Sequence, residues 1–182
     1  YPLMKYKVSV DVSMVYELLG SFMIYATRKW TDNLDIGKQL ITEMDERLPQ
    51  PVRVQFSRAR SWPLGDYDVL YALIMLRGEH LEIPDFLNWI ESSAVEELHD
   101  LLQPHLPSLS LDETSRIREN YTPLMKLWHE HYFSEVEPDL YQLLEEDAEE
   151  KRMLLPKMDD ENLIEYASSG VILDDVPQEY VV

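Results

Sequence analysis

Apolar and polar positions alternate at the start of the chain, where Tyr6, Val8 and Val10 are separated by Lys7 and Ser9. A period of two predicts a short strand with one buried face. The period then lengthens. Val15, Leu18, Leu19, Phe22, Met23 and Ala26 fall on one helical stripe, with Asp11 or Ser13 as cap and a stop near Thr31, Asp32 and Asn33. Ile36, Leu40, Ile41, Met44 and Leu48 predict a second helix over residues 36–48, ended by Pro49 and Pro51, which have no amide hydrogen to donate. Residues 52–62 fit two patterns. Val52, Val54 and Phe56 alternate as in a strand, whereas Val52, Phe56 and Ala59 share a helix face.

Asp66 is placed to cap a helix reaching about Arg77, with Val69, Leu70, Leu73 and Ile74 inward and Gly78 as its stop. Pro84 suits the first turn of a helix carrying Phe86, Leu87 and Ile90. Ser93 with Glu96, Ser110 with Glu113 and Ser134 with Glu137 each have the spacing of a capping box, in which serine and glutamate satisfy each other's backbone amides. The helix after Ser110 presents Ile117, Tyr121, Leu124 and Trp128, and Pro123 should kink or divide it. The helix after Ser134 presents Leu140, Leu143, Leu144 and Ala148, with Asp147 and Lys151 paired at i,i+4. A last helix fits residues 160–167, and residues 171–173 and 180–182 look like strands. The expected fold is mainly α: a multi-helix bundle with a few short β-strands near the termini. One helical body spanning residues 4–182 is expected, with its most flexible joint between Pro104 and Pro107. Residues 1–3 read as additions before a native Met4, and Val182 as a point of truncation.

Totals narrow the class of function. The chain of 182 residues has no cysteine, so disulfides, thiolate metal sites and cysteine nucleophiles are excluded. Residues 12–26 are the longest apolar stretch, but Glu17 interrupts them well short of the roughly 18 residues of a membrane span. Residues 8–15 are too polar for a signal peptide. A cytoplasmic protein with no membrane contact is expected. The formal charge is −19, which argues against direct contact with nucleic acid, because phosphate binding needs a basic face. Acids concentrate late: fifteen lie from Glu135 onward, against Lys151, Arg152 and Lys157. That run is either a solvated helix face or a surface that repels DNA or meets a basic partner.

Candidate chemistry is sparse. His129 and His131 lie two apart, about 200° around a helix axis, so the pair cannot hold one metal ion. No metal and no cofactor is expected. Arg58, Arg60 and Trp62 stand out against the acidic background. If residues 52–62 are extended, the three share a side and could clamp an anionic ligand, because arginine offers a planar fork of donors. Otherwise the arginines pair with the chain's own carboxylates. Tyr25, Trp30, Trp62, Tyr67, Trp89, Trp128 and Tyr132 suit the lining of a pocket, the core or the cover of an interface. Asp159, Asp160, Asp174 and Asp175 suit turns or caps. No glycine-rich phosphate loop or Gly-x-Ser-x-Gly elbow occurs, so no catalytic residue is assigned.

The run from Met4 to Phe22 (MKYKVSVDVSMVYELLGSF), the run from Thr27 to Thr31 (TRKWT) and that from Glu165 to Gly170 (EYASSG) resemble a group of Bacillus-type transcriptional regulators. These belong to the arsenical-resistance-repressor (ArsR) superfamily, and the resemblance extends over nearly all of residues 4–182. It implies an N-terminal region followed by a C-terminal winged helix that binds DNA. Thiolate metal sensing, familiar in that superfamily, does not carry over to a chain without cysteine. The expectation is therefore a non-catalytic effector-sensing or dimerisation domain of a homodimeric regulator, reaching DNA only through a domain beyond this chain, with its effector unknown. Two alternatives from other classes are a small cytosolic hydrolase using histidine and carboxylates, and an acidic helical adaptor.

Overall fold

The computed structural model describes residues 7–29, 35–157 and 172–174. The fold is mainly helical: β1 (Lys7–Ser9), α1 (Met14–Thr27), α2 (Asp35–Arg47), α3 (Gln50–Ala59), α4 (Gly65–Leu73), α5 (Ile83–Ser92), α6 (Val95–Leu102), α7 (Leu111–Trp128), α8 (Ser134–Leu154) and β2 (Ile172–Asp174). Two five-residue π-helical segments, Ile74–Gly78 and His129–Phe133, continue α4 and α7. No helix among the described residues is long and apolar enough to cross a membrane. The helix expected over residues 160–167, the strand at 180–182, Trp30, and the carboxylates Asp159, Asp160 and Asp175 lie outside the described residues.

The chain divides into two compact units. The larger is Ser13–Glu137. Its central element is α1, which packs against α3, α4, α5 and α7. That position explains why Val15, Leu18, Leu19, Phe22, Tyr25 and Ala26 are all buried. Met23, expected on the same stripe, is only half-buried. α1 also ends earlier than its apolar pattern suggested: Arg28 adopts φ 56° and its amide closes the helix onto the Ile24 carbonyl. Aromatic rings knit the core. Tyr25 stacks on Trp128 with centroids 4.9 Å apart, Phe56 meets Tyr25 edge-on at 4.9 Å, and the Trp128 indole N–H donates to Ser21 Oγ. Residues 104–107 lie inside this unit, in turns tied by the His105 and Leu106 amides to Leu102 and by His99 Nε2 to the Leu109 carbonyl at 2.8 Å.

The smaller unit comprises Tyr1–Val12 and Pro138–Val182. In it β1 pairs antiparallel with β2, with Val8 opposite Leu173. Val10 and Ala148 are buried together, with Val12 and Leu155 packed against them. Arg152 donates from Nε to the Val10 carbonyl at 2.8 Å and from Nη1 to Glu145 at 2.6 Å. Asp147 and Lys151 form the expected i,i+4 pair at 3.0 Å. Leu143, expected inward, is 64 % exposed.

Several local expectations are corrected. Residues 50–59 are helical: Val52, Phe56 and Ala59 are buried and Val54 is 48 % exposed, so the 3.6-residue pattern, with Pro51 in the first turn, prevails over the alternation. Asp66 caps nothing. It lies within the first turn of α4, buried against Arg116. Ser93 forms no capping box, because its hydroxyl donates backward to the Trp89 carbonyl and Ala94 takes the N-cap position. α8 does begin at Ser134, as expected, but the π segment runs straight into it and the Ser134 hydroxyl donates backward to Glu130 O, not to the amide of Glu137. α7 is not divided at Pro123. Pro123 and Glu119 are both exposed, so water can serve the carbonyl that loses its amide. Ser110 does form the full box with Glu113.

Candidate functional site

α3 is two-faced. Its buried face is Val52, Phe56 and Ala59. On the opposite side Gln50, Arg53 and Ser57, continued by Arg60 just past the helix, recur at i, i+3, i+7 and i+10, which is one helix face. Arg60 keeps helical backbone angles, φ −60° and ψ −27°, so it extends that face. These four residues, with Val54, form one wall of an open cleft of about 390 Å³. Tyr25 and Arg28 from the end of α1 and Asp45 from α2 form the other.

The second wall is internally bonded. Arg28 Nη2 donates to Asp45 Oδ1 at 3.0 Å, and Arg28 Nε donates to the Tyr25 carbonyl at 3.2 Å. The Tyr25 hydroxyl donates to the same Asp45 oxygen. The Arg28 guanidinium also lies over the Tyr25 ring, 4.7 Å from its centroid. Burial, and then the hydrogen bond to Asp45, push the Tyr25 phenol up to about 12, so it remains a donor at neutral pH. Arg28 is the only non-glycine residue of positive φ among the described residues. A left-handed backbone costs a side-chain-bearing residue roughly 1–2 kcal/mol. The helix-ending hydrogen bond and the contacts of the guanidinium offset that cost.

Arg53 and Arg60 have no ion pair or side-chain hydrogen bond among the described residues. Ser57 Oγ donates to the Val54 carbonyl at 2.6 Å, so its hydroxyl proton is already engaged. The arrangement is a cationic concavity with one carboxylate already engaged. Its groups can hold and orient an anion through guanidinium forks.

The three residues singled out from the sequence separate. Arg60 lines the cleft, Arg58 does not, and Trp62 is half-buried with its ring edge-on to Tyr121 at 4.8 Å. An extended strand would have aligned them; in a helix Arg58 and Arg60 diverge by about 200°. Arg28, Asp45 and Arg53 escaped sequence reasoning. A helical reading of residues 50–60 would have found Arg53 beside Arg60, but nothing local announces that Arg28 and Asp45 face them.

Elsewhere, Tyr25, Tyr67, Trp128 and Tyr132 are buried core residues, while Trp89 is half-buried. His129 Nε2 lies 3.4 Å from Glu137 Oε2. Among the described residues no three histidine or carboxylate side chains gather as metal ligands. No protein-family model matches the chain, and no curated protein or solved structure is similar to it.

Proposed function

We propose that this chain is the effector-sensing and dimerising part of a cytoplasmic, DNA-binding transcription regulator of the ArsR superfamily, acting by binding rather than by catalysis. The observation that carries the reading is the cleft, in which Arg28, Arg53 and Arg60 converge within an otherwise acidic chain. The resemblance of residues 4–182 to such regulators supplies the context, and the acidic surface suits a body that leaves DNA to a separate winged helix. Two-fold symmetry would match paired half-sites. An effector would act only by preferring one arrangement of the two winged helices over another.

The full-length gene product tests this. It should continue into a basic winged-helix segment, sediment as a dimer, and bind DNA from upstream of its own gene with an affinity that changes when anions fill the cleft. A full-length protein that has no such segment, or whose DNA affinity ignores both anions and the Arg60→Gln substitution, defeats the reading. The contact between His129 and Glu137 favours a second reading, a small hydrolase with histidine as base. That reading requires turnover of ester or amide substrates that is lost in His129→Gln.

A further inference from the structure

The charge of the cleft is anomalous for this chain. Acids outnumber Lys and Arg by 35 to 16, yet no acidic residue occurs between Glu46 and Asp66, a stretch that carries Arg47, Arg53, Arg58 and Arg60. Two of these arginines, Arg53 and Arg60, stand two helical turns apart on one face of α3 and its continuation, with no carboxylate partner among the described residues. Arg28 faces them from α1. Asp45 already engages Arg28, while Arg53 and Arg60 add two positive charges that no carboxylate of the described residues pairs. In water such a cluster repels itself, and the ligand that relieves it most is a dianion.

The donors select among dianions. Two guanidiniums and the Gln50 amide present more N–H groups than the two oxygens of one carboxylate can absorb. A phosphoryl group has three strongly accepting oxygens and carries roughly −1.5 to −2 at neutral pH. Guanidinium forks match that geometry in pairs. The cleft opens to solvent, so an ester substituent can project outward from it. We propose that the cleft formed by Tyr25, Arg28, Asp45, Arg53 and Arg60 binds the phosphoryl group of a small phosphomonoester. This rests on the reading of the cleft as an effector site and names the chemical class of that effector.

Calorimetric titration of the chain with glycerol 3-phosphate, succinate, inorganic phosphate and glycerol, at matched ionic strength, tests it. Glycerol 3-phosphate should bind about tenfold more tightly than succinate, and glycerol should give no heat. Lowering the pH from about 7.5 to about 5.5 converts the ester to its monoanion and should weaken binding several-fold. Arg53→Gln and Arg60→Gln should each weaken it about tenfold with an unchanged thermal melt, because neither side chain bonds to any described residue. Arg58→Gln should bind as the parent does. Succinate binding as well as the ester, Arg58→Gln losing as much affinity as Arg60→Gln, or no heat from the ester at roughly 10 mM would each overturn the proposal. Inorganic phosphate binding tighter than the ester would reassign the ligand to the free ion. Ester binding in the chain without a DNA response in the full-length protein would remove the regulator and keep the ligand. A DNA response to succinate alone would do the reverse.

Discussion

Asp66, Arg116 and Tyr121 are the same three kinds of group as Asp45, Arg28 and Tyr25, and both sets belong to the larger unit. The first set is sealed. Asp66 is 4 % exposed, and both its oxygens accept from the Arg116 fork at 2.9 Å, with the Tyr121 hydroxyl at 3.1 Å on one of them. The bonds join the start of α4 to the middle of α7. The second set is open. The Arg28 and Asp45 side chains are 28 % and 33 % exposed, and Arg53 and Arg60 add charge that Asp45 does not balance. Identical groups thus make a sealed brace in one place and line an open cleft in the other. Burial and the surplus of cations decide which, not the identity of the residues.

The largest expected effect probes the sealed set. Arg116→Met strands a buried carboxylate and should cost about 4 kcal/mol, because an unpaired charge in the interior keeps its full desolvation penalty. Asp66→Asn should cost less, about 2 kcal/mol, since the Arg116 side chain is 39 % exposed and can turn to water. Arg28→Met should cost under about 1 kcal/mol, as for other solvent-screened pairs. Urea denaturation of the three variants ranks them. Equal losses for Arg116→Met and Arg28→Met would erase the distinction between sealed brace and open cleft.

The contrast between the two sets also shows what the sequence could reveal. Helices with a clean apolar stripe (α1, α2, α5 and α7) were legible, as was the Ser110 cap, because their signals are local. Residues 50–59 were not, because Val52 and Phe56 satisfy a period of two and a period of 3.6 alike, and only burial of Ala59 with exposure of Val54 separates them. Asp66 looked like a cap because its partner, Arg116, is 50 residues away. Ser93 and Ser134 looked like caps for the converse reason: each has a preceding-turn carbonyl within reach, and bonding to it removes the hydroxyl from the next helix. Of the cleft, Arg60 was legible as a cation out of keeping with its surroundings. Arg28 and Asp45 were not, since two helix ends meet there only in the folded chain.

A second effect, on the order of 2 kcal/mol, concerns pH. An unfolded tyrosine ionises near 10. In the folded chain burial and then the bond to Asp45 push Tyr25 up to about 12. The folded state therefore holds this proton more tightly. Its contribution to stability is complete below about pH 10 and is lost as the pH climbs through about 12. Tyr121 is pushed up as well, first by burial and then by Tyr67 and Asp66. Unfolding free energy should decline from pH 10 to 12, and Tyr25→Phe should remove part of that decline. Phenolate absorbance should show Tyr25, Tyr67 and Tyr121 resisting ionisation. An unchanged slope in Tyr25→Phe would mean that neither burial nor Asp45 holds that proton in solution.

The smallest effect, about 1 kcal/mol, separates the two arginines by sign. Arg28 occupies a left-handed backbone position at the end of α1, where a Cβ is penalised and glycine is not. Arg28→Ala loses the ion pair and keeps the strain, whereas Arg28→Gly loses both, so glycine should be the more stable by about 1 kcal/mol. Arg116 lies within α7, where glycine forfeits helix propensity. There Arg116→Gly should be less stable than Arg116→Ala by a similar amount, about 1 kcal/mol. Both Arg28 variants should lose anion affinity equally, because the guanidinium is gone from each. A glycine that stabilises the fold while it empties the cleft would show that the strained turn at Arg28 is kept for its side chain and not for the helix it ends.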